Sequence, residues 1–244
     1  MAAPGTKTLS KELWEDHKCA SSADLAEALA ETVAAALRTG LQAHGRAAVA
    51  VSGGKTPLRF FDALSRQKLE WANVYVTLAD ERWVPATSER SNTKLVLAHL
   101  LVSEAKSAHY VPLYADAPTP ELGMAEVTSG LTVLPQPFDA VVLGMGDDGH
   151  TASWFPNGDH LAQALDMHGK LTLLPMRSPA APEARITFTA SALLSANQLF
   201  LHFETAAKRA VFDEAGSGDD VLQMPIRAAL LAKRQHPLQV YWCD

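Results

Sequence analysis

Short apolar runs alternate with segments of helical periodicity along most of the chain, and this alternation restricts the possible folds more than any other feature. The apolar runs predict buried strands. They lie at residues 47–51, 74–79, 138–143, 198–203 and 237–242. Helices between consecutive strands favour parallel pairing. We therefore predict an α/β fold with a mostly parallel sheet and helices on both of its faces.

The ends of the helical segments can also be predicted. The first helix should cover residues 22–39, with Ser22 as its N-cap and Gly40 as its stop. Pro57 suits the first turn of the next helix, at residues 58–68. Further helices are predicted at 91–102, 121–134 and 205–215, and further strands at 111–113, 170–175 and 185–188.

The composition is that of a globular chain and argues against some classes of partner. The 244 residues carry a net charge of −6 without a dense block of Lys or Arg, which disfavours general binding to nucleic acid or to membrane surfaces. A small anionic ligand remains compatible, since it needs only a local positive pocket. The sequence has no repeat and no clear linker, so residues 1–244 are predicted to form a single domain.

The cysteines and the N-terminal residues predict a cytoplasmic protein. Cys19 and Cys243 are the two cysteines, and they share no metal-like spacing, as is typical of chains in a reducing compartment. Residues 1–18 lack an apolar core and carry three acidic residues, so they are not a signal peptide. No apolar run reaches the ~20 residues that a membrane-spanning helix needs.

The segment after the third apolar run concentrates residues of catalytic type. Gly144–His150 holds three glycines, two carboxylates and one histidine. Its letters match the G-x-G-x-x-G fingerprint of dinucleotide-binding loops, but Asp147 and Asp148 would repel a diphosphate. Pro156 also leaves little room for the helix that such a loop requires. We predict instead a glycine turn that positions Asp148 and His150. A structural turn with a solvated histidine is the alternative.

A second glycine-containing loop, Ser52–Pro57, joins a predicted strand to a predicted helix. It is not a Walker A motif, because Val49 stands where the first glycine should fall. Backbone amides at Gly53 and Gly54 are nevertheless suited to hold one phosphate group, and Lys55 adds positive charge. An ordinary turn between strand and helix is the alternative.

Charged residues follow the second strand, at Asp80-Glu81-Arg82. Open α/β sheets bind their ligands at this end of the strands. Asp80 and Arg82 are two residues apart, so on an extended chain they can face the same crevice. Taken alone, the three residues fit a solvated charge cluster better. A metal site is not predicted, because the histidines at 150, 160 and 168 lack short ligand spacing.

Together these segments resemble the 6-phosphogluconolactonase family. Gly144–Pro156, which we call the catalytic loop, is similar to the most specific signature of that family. The other similar blocks occur in the family's order at Ser52–Pro57, Asp80–Pro85 and Ser91-Asn92, and more weakly at Arg185–Thr189, Lys208 and Pro225–Arg227. The resemblance covers about residues 20–243.

The resemblance implies hydrolysis of 6-phospho-D-glucono-1,5-lactone to 6-phosphogluconate, in the oxidative pentose phosphate pathway, with neither a metal nor an organic cofactor. It also implies a Rossmann-like three-layer α/β/α fold, shared with glucosamine-6-phosphate deaminases. In those deaminases a Glu precedes the proline of the catalytic loop, whereas this chain has Phe155, which favours the lactonase. Thr205 departs from the lactonase pattern, in which a Gly often stands three residues before Lys208.

The family's chemistry assigns expected roles to the matching residues. His150 is expected to be the general base on water. Either Asp148 or Asp80 orients the imidazole or a substrate hydroxyl, and Arg82 stabilises the developing charge or binds phosphate. The expected phosphate-binding residues are Ser52, Gly53, Gly54, Lys55 and Thr56, with Asn92, Arg185 and Lys208 as further candidates.

Two alternatives remain at this point. A sugar-phosphate isomerase or deaminase of the same fold is disfavoured by Phe155. A non-catalytic sugar-phosphate sensor would normally carry a DNA-binding helix-turn-helix, and residues 1–18 are too few to hold one. The oligomeric state is not readable from the sequence.

Overall fold

The computed structural model describes residues 13–244, and its largest element is a seven-stranded sheet in which all neighbouring strands are parallel. Its strands are β1 Trp14–Lys18, β2 Ala47–Val51, β3 Val74–Leu78, β5 His109–Tyr110, β6 Ala140–Leu143, β9 Gln198–Glu204 and β10 Leu238–Cys243. They lie in the order β1-β10-β9-β6-β2-β3-β5. The predicted α/β class with a mostly parallel sheet is confirmed.

A smaller antiparallel sheet of three strands lies beside the large one. It consists of β4 Asp80–Arg82, β7 Leu173–Ser178 and β8 Ala181–Phe188, in the order β4-β8-β7. β4 begins two residues after β3 ends, so the chain passes almost directly from the large sheet into the small one. The predicted charged segment after the second strand is therefore a strand of its own.

Helices connect most of the strands. They are α1 Ser22–His44, α2 Leu58–Ser65, α3 Asn92–Leu95 with a π-helical turn at Val96–Leu100, α4 Pro120–Gly130, α5 Leu161–Ala164, α6 Ala190–Leu194, α7 Ala206–Gly216 and α8 Arg227–Leu231. Every residue of β2 and β6 is buried, so both faces of the middle of the sheet are covered. Within residues 13–244, no helix combines the length and the apolar character needed to cross a bilayer.

The first helix begins at residue 22 as predicted, but its predicted N-cap and its predicted end are wrong. Ser21, not Ser22, is the N-cap, and its side chain accepts a hydrogen bond from the Asp24 amide. The helix continues through Gly40 and ends before Gly45, which has a left-handed φ of 72°. Glycine is required at position 40, inside the helix, because a Cβ there would lie 2.2 Å from a carboxylate oxygen of Asp139. The glycine makes room for a packed carboxylate and does not stop the helix.

Other boundaries differ from the predictions by a few residues. The strand expected at 111–113 lies at 109–110, and the helix expected from 121 begins at Pro120 and ends at Gly130. The strand expected at 170–175 lies three residues later, at 173–178, and the strand expected at 185–188 begins earlier, at 181; together they form the β7–β8 hairpin. β1, α5, α6 and α8 were not predicted from the sequence. Residues 1–12, on which part of the signal-peptide prediction rests, lie outside the described residues.

The topology gathers the predicted site residues at one edge. The parallel strands all end there, so the loops that follow them meet. Ser52 follows β2, Gly144 follows β6 and Thr205 follows β9, while Asp80 lies just beyond β3.

Candidate active site

A cavity of about 310 Å³ opens at the carboxyl-terminal edge of the parallel strands. Nine of the twelve site residues predicted from the sequence line it: Ser52, Gly53, Thr56, Asp80, Arg82, Asn92, His150, Arg185 and Lys208. Gly54, Lys55 and Asp148 do not line it. Residues more than 150 positions apart in the sequence thus share one cavity.

The catalytic loop makes a tight turn that presents His150 to the cavity. The Gly146 amide donates to the carbonyl of His150 (2.8 Å), and the Gly149 amide donates to the carbonyl of Gly146 (3.2 Å). A Cβ on Gly146 would lie 2.1 Å from Nδ1 of His150, so only glycine lets the ring occupy its place. Gly149 has a φ of 74°, a conformation that also favours glycine.

Asp148 orients the imidazole of His150. One of its carboxylate oxygens lies 2.5 Å from Nδ1 of His150 and also accepts a hydrogen bond from the His150 amide (3.1 Å). The hydrogen bond with His150 lowers the pKa of Asp148 to about 2, against a smaller opposing effect of burial. Because Nδ1 is engaged by the carboxylate, Nε2 is the nitrogen left for a proton-transfer role. Asp148 therefore contacts the imidazole on its Nδ1 side, away from the cavity, which explains why it does not line the cavity.

Phe155 forms the wall beside His150. The two ring centroids are 4.7 Å apart, and the guanidinium of Arg185 lies 5.8 Å from the centroid of Phe155. Phe155 is buried, with 6% of its surface exposed. The position where a related deaminase would carry a Glu thus holds an apolar ring in contact with the histidine.

Lys208 is tied to the catalytic loop. Its Nζ donates to the carbonyl of Met145 (2.9 Å) and lies 2.6 Å from a carboxylate oxygen of Asp147. Thr205 is the N-cap of α7, and its hydroxyl accepts a hydrogen bond from the Lys208 amide (3.3 Å). Thr205 has a φ of 90°, a region open mainly to glycine, which explains why a Gly is common at this position in the family.

The loop after β2 contributes backbone and hydroxyl groups to the cavity. The Ser52 hydroxyl accepts a hydrogen bond from the Gly144 amide (3.2 Å), which joins this loop to the catalytic loop. A Cβ on Gly53 would lie 2.0 Å from the side chain of Asn92, so the glycine permits Asn92 to reach the cavity. The chain turns at Gly54, with a φ of 99°, and the Lys55 side chain beyond it is exposed. Lys55 does not line the cavity, and the phosphate contact expected from it stays a prediction.

Glu81 holds the start of α3 in place and is fully buried. Its carboxylate accepts hydrogen bonds from the amides of Arg82 (2.7 Å), Asn92 (2.9 Å) and Thr93 (2.7 Å). Burial raises the pKa of Glu81, and these hydrogen bonds oppose that effect. Of the three charged residues after β3, Glu81 is thus structural, while its two neighbours face the cavity.

Asp80 and two arginines form the wall made by the small sheet. Ser153, which is fully buried, donates its hydroxyl proton to Asp80. Arg82 and Arg185 are directly paired between β4 and β8, so their side chains share a face of the sheet. Burial lowers the pKa of Arg185, the charge of Arg82 acts in the same direction, and Asp80 opposes both. Two neighbouring cations at a cavity wall favour an anionic ligand.

Polar atoms without a partner also concentrate at this cavity. Among the described side chains, five buried nitrogen or oxygen atoms make no hydrogen bond. Four of them belong to residues that line the cavity: Nε of Arg82, Nε of Arg185, Oδ1 of Asn92 and Oγ1 of Thr151. Buried polar groups are normally paired, so these atoms are suited to hydrogen bonds with a polar ligand.

Three residues at or beside the cavity were missed in the sequence. His202 and Glu204 line it from the end of β9, with His202 Nε2 3.4 Å from a carboxylate oxygen of Glu204. His202 lies inside an apolar run and Glu204 directly follows it, and a charged residue at the end of a parallel strand was the available signal. Ser153 was part of the recognised catalytic loop, but its bond to Asp80 depends on the fold. Within residues 13–244, no group of three or more His, Cys, Asp or Glu residues has a metal-binding arrangement.

Comparison with known proteins shows that this chain is similar to sugar-phosphate enzymes. Residues 20–242 match the family model described as glucosamine-6-phosphate isomerases/6-phosphogluconolactonase. The 6-phosphogluconolactonase of Rhizobium meliloti is 47% identical over 218 residues, which are 89% of this chain and 94% of that protein. That of Pseudomonas putida is 42% identical over 227 residues, 93% of this chain and 92% of that protein.

Solved structures show the same fold. The crystal structure of a 6-phosphogluconolactonase from Shewanella baltica is 39% identical in sequence, with a TM-score of 0.92, and the match covers 97% of this chain and all of that chain. A glucosamine-6-phosphate deaminase is 15% identical with a TM-score of 0.75, over 94% of this chain and 97% of that one, a likeness of fold alone.

Proposed function

This chain belongs to the family of glucosamine-6-phosphate isomerases and 6-phosphogluconolactonases, and we propose that His150 is the general base in its hydrolysis of 6-phospho-D-glucono-1,5-lactone. The reaction adds water to the lactone carbonyl and yields 6-phosphogluconate, in the oxidative pentose phosphate pathway. The observation that carries the proposal is the imidazole of His150, held by Asp148 at 2.5 Å and facing a cavity with two adjacent arginines.

The first step is the activation of water by His150. With the Nδ1 proton donated to Asp148, Nε2 carries the lone pair and accepts a proton from the attacking water. The water oxygen forms a bond to C1 of the lactone, and the carbonyl oxygen takes up negative charge. Asp148 stabilises the imidazolium that results, because its carboxylate stays ionised far below neutral pH.

The second step opens the ring. The bond between C1 and the ring oxygen breaks, and the imidazolium returns its proton to that oxygen, which becomes the C5 hydroxyl. The new carboxylic acid then releases a proton to solvent. The lactone also opens without an enzyme, so one base and a few charged groups provide a sufficient lowering of the barrier.

Charged and polar groups around the cavity bind the rest of the substrate in this proposal. Arg82 stabilises the oxyanion or binds the phosphate, and Arg185 and Lys208 are cations for the phosphate. Ser52, Gly53, Thr56 and Asn92 offer backbone amides and polar side chains from the neighbouring wall. Asp80, with Ser153 bound to it, is free to accept a hydrogen bond from a sugar hydroxyl, since Asp148 already orients the imidazole.

The test generates the lactone in situ and compares its hydrolysis with the spontaneous rate. Wild type should accelerate hydrolysis, and His150→Asn should lose most of the acceleration. His160→Asn is the control, because His160 is a histidine outside the cavity that bonds to Gln163 (2.9 Å). Absence of acceleration by wild type contradicts the lactonase. Full acceleration by His150→Asn contradicts only the role of His150.

A second arm separates the possible roles of Arg82. If Arg82 binds phosphate, Arg82→Ala weakens competitive inhibition by inorganic phosphate and raises KM. If it stabilises the oxyanion, the same change lowers kcat with little effect on inhibition. A variant unchanged in both measurements removes Arg82 from the site.

The alternative activities have less support. Phe155, buried against His150, leaves no carboxylate for the ring opening and isomerisation of a deaminase. A non-catalytic sensor would have no need of the pairing between His150 and Asp148.

We also propose that the chain forms one domain and works in the cytoplasm. The single-domain proposal is supported by the pairing of β1 with β10, since residues 14–18 and 238–243 join one sheet. Residues 1–12 of the predicted domain lie outside the described residues. The cytoplasmic proposal is supported by two free cysteines, Cys19 and Cys243. The absence of nucleic-acid and membrane partners stays a prediction from the charge of the chain.

A further inference from the structure

We propose that Arg227 is a positioning residue for His150, acting through the segment 217–226 that packs under the catalytic loop. The inference rests on the function proposed above. Arg227 belongs to one of the weaker family blocks, and none of the catalytic roles assigned so far uses it. It is 4% exposed and lies outside the cavity lining.

The guanidinium of Arg227 organises the turn between α7 and α8. Nε donates to the carbonyl of Ala215 (3.0 Å) and Nη2 to that of Glu214 (3.3 Å), which are the last turn of α7. Nη1 donates to the carbonyl of Asp220 (3.1 Å) and to the side chain of Gln223 (2.8 Å). One side chain thus joins the end of a helix to the loop that follows it.

The segment 217–226 contacts the catalytic loop at Gly149. The Ile226 amide donates to the carbonyl of Gly149 (2.9 Å). The side chain of Met224 lies so close to Gly149 that a Cβ there would be 2.8 Å from its Cε. Met224 and Ile226 are both buried. The residue immediately before His150 is therefore fixed by one hydrogen bond and one packing contact, both from the segment that Arg227 holds.

Helix α7 is linked to the catalytic loop at both of its ends. At its start, Lys208 bonds to the carbonyl of Met145 near the beginning of the catalytic loop (2.9 Å). At its end, Arg227 bonds to the carbonyls of Ala215 and Glu214. The catalytic loop is attached to the α7–α8 unit at Met145 and again at Gly149. Loosening the second attachment should therefore displace His150 while leaving Lys208 in place.

The test compares two arginines, Arg227 buried and Arg234 half-buried, that both bind carbonyl groups at the end of a helix. Arg227→Lys keeps the positive charge. The single ammonium group of lysine cannot donate to all four acceptors, which lie in different directions around the guanidinium. Arg234→Lys is the matched control, since Arg234 donates to the carbonyls of Leu194 and Ala196 after α6 and does not line the cavity. Both variants are assayed at a temperature at which circular dichroism shows them folded.

We expect Arg227→Lys to lower kcat by about 10- to 100-fold, because small displacements of a catalytic base have effects of that size. KM and inhibition by inorganic phosphate should change little, because most of the phosphate-binding groups belong to other elements and Lys208 lies at the opposite end of α7 from the carbonyls that Arg227 binds. Arg234→Lys should keep the wild-type kcat. Equal kcat values for the two variants, or a loss in Arg227→Lys that falls on KM alone, contradict the proposal.

A second variant tests the same connection without touching Arg227. Met224→Ala removes the side chain that packs on Gly149 and should also lower kcat at nearly constant KM. In the double variant with Arg227→Lys the two losses should be less than additive, because both act through one segment. Fully additive losses contradict the connection. Wild-type activity is measured in parallel, so a failure of the lactonase itself would be recognised by the absence of acceleration in every protein.

Discussion

At the scale of the residue, the contact most relevant to the proposed chemistry is the pairing of His150 with Asp148. The carboxylate approaches Nδ1 to 2.5 Å, because Gly146 and Gly149 let the loop close on itself. The sequence could not decide between Asp148 and Asp80 as the partner of the imidazole. The structure shows that Asp148 makes this contact, while Asp80 bonds to Ser153.

Asp148→Asn should therefore lose activity although Asp148 does not line the cavity. An amide in its place removes the charge that stabilises the imidazolium and can favour the wrong tautomer of the ring. We expect kcat to fall by about 100-fold or more. Steady-state kinetics on the lactone checks this, with Asp147→Asn as the control, because Asp147 is exposed and contacts Lys208, not the imidazole. Retention of full kcat in Asp148→Asn would contradict the assigned role.

The same pair should make stability depend on pH in a defined window. An unperturbed aspartate has a pKa of ~3.9, and the pKa of Asp148 is lowered to about 2 by its hydrogen bond to His150. A lowered carboxyl pKa contributes stability above the unfolded value, and the contribution is lost as pH falls through the folded value. Urea unfolding of wild type and Asp148→Asn should differ by a small amount at about pH 5, and the difference should shrink progressively as the pH falls through about 2.

Thr205 stores backbone strain that a glycine would relieve. Its φ of 90° and ψ of 147° lie in a region that costs other residues about 1–3 kcal/mol. Two effects of Thr205→Gly are destabilising. Loss of the hydrogen bond that caps the Lys208 amide costs a few tenths of a kcal/mol, and the greater conformational entropy of the unfolded glycine chain costs about 0.5–1 kcal/mol. We expect a net stabilisation of about 1 kcal/mol in urea unfolding. Thr205→Ser, which keeps both strain and cap, should be neutral; a destabilised glycine variant would rule out the strain.

Much of the site was predictable from single residues, because glycines and charges at strand ends are strong signals. Nine of the twelve predicted residues line the cavity. Lys55 lies outside the cavity lining because the chain turns at Gly54, and the direction of a side chain after such a turn is not visible in the sequence. His202 and Glu204 were missed because their role depends on which strands are neighbours.

At the scale of elements, long strands and helices were predictable and short ones were not. β2 was predicted without error, and β3 and β9 to within one residue. α5, α6 and α8 have four or five residues, which is too short to show a helical period. β1 reads Trp-Glu-Asp-His-Lys, a charged segment that becomes a strand only through its pairing with β10.

Gly40 shows how a tertiary contact overrides a local signal. Asp139 fills the space beside it, and the same carboxylate accepts hydrogen bonds from the Ala48 amide (2.8 Å) and the Asn197 side chain (3.4 Å). The glycine of α1 is thus fixed by the loop before β6.

Two glycines in different helices should consequently respond in opposite ways to alanine. Gly40→Ala places a methyl group on the Asp139 carboxylate and should destabilise the protein by about 1–3 kcal/mol. Gly130→Ala, at the end of α4, meets no atom within 4 Å and should stabilise by up to about 1 kcal/mol. Thermal unfolding of both variants checks the pair. A harmless alanine at position 40 would mean that Asp139 can move aside at little cost.

For the molecule as a whole, the order of the strands predicts a gradient of stability across the sheet. β6 lies at its centre, between β9 and β2, and is buried throughout. Among residues 13–244, β5 has two residues and pairs with β3 alone, and β1 pairs with β10 alone. Amide hydrogen exchange should therefore be slowest in β2, β6 and β9 and fastest in β1 and β5. Equal protection of β1 and β6 would contradict this gradient.

The pairing of β1 with β10 also has a consequence for synthesis on the ribosome. The residues of β1 are made early, but their partner in the sheet is made more than 200 residues later. At about 5–20 residues per second, translation from Lys18 to Leu238 takes on the order of ten seconds or more. Throughout that delay Trp14, which packs on Phe212 in the finished fold, has no sheet to join. Pairing of β1 is therefore one of the last steps in the assembly of this sheet.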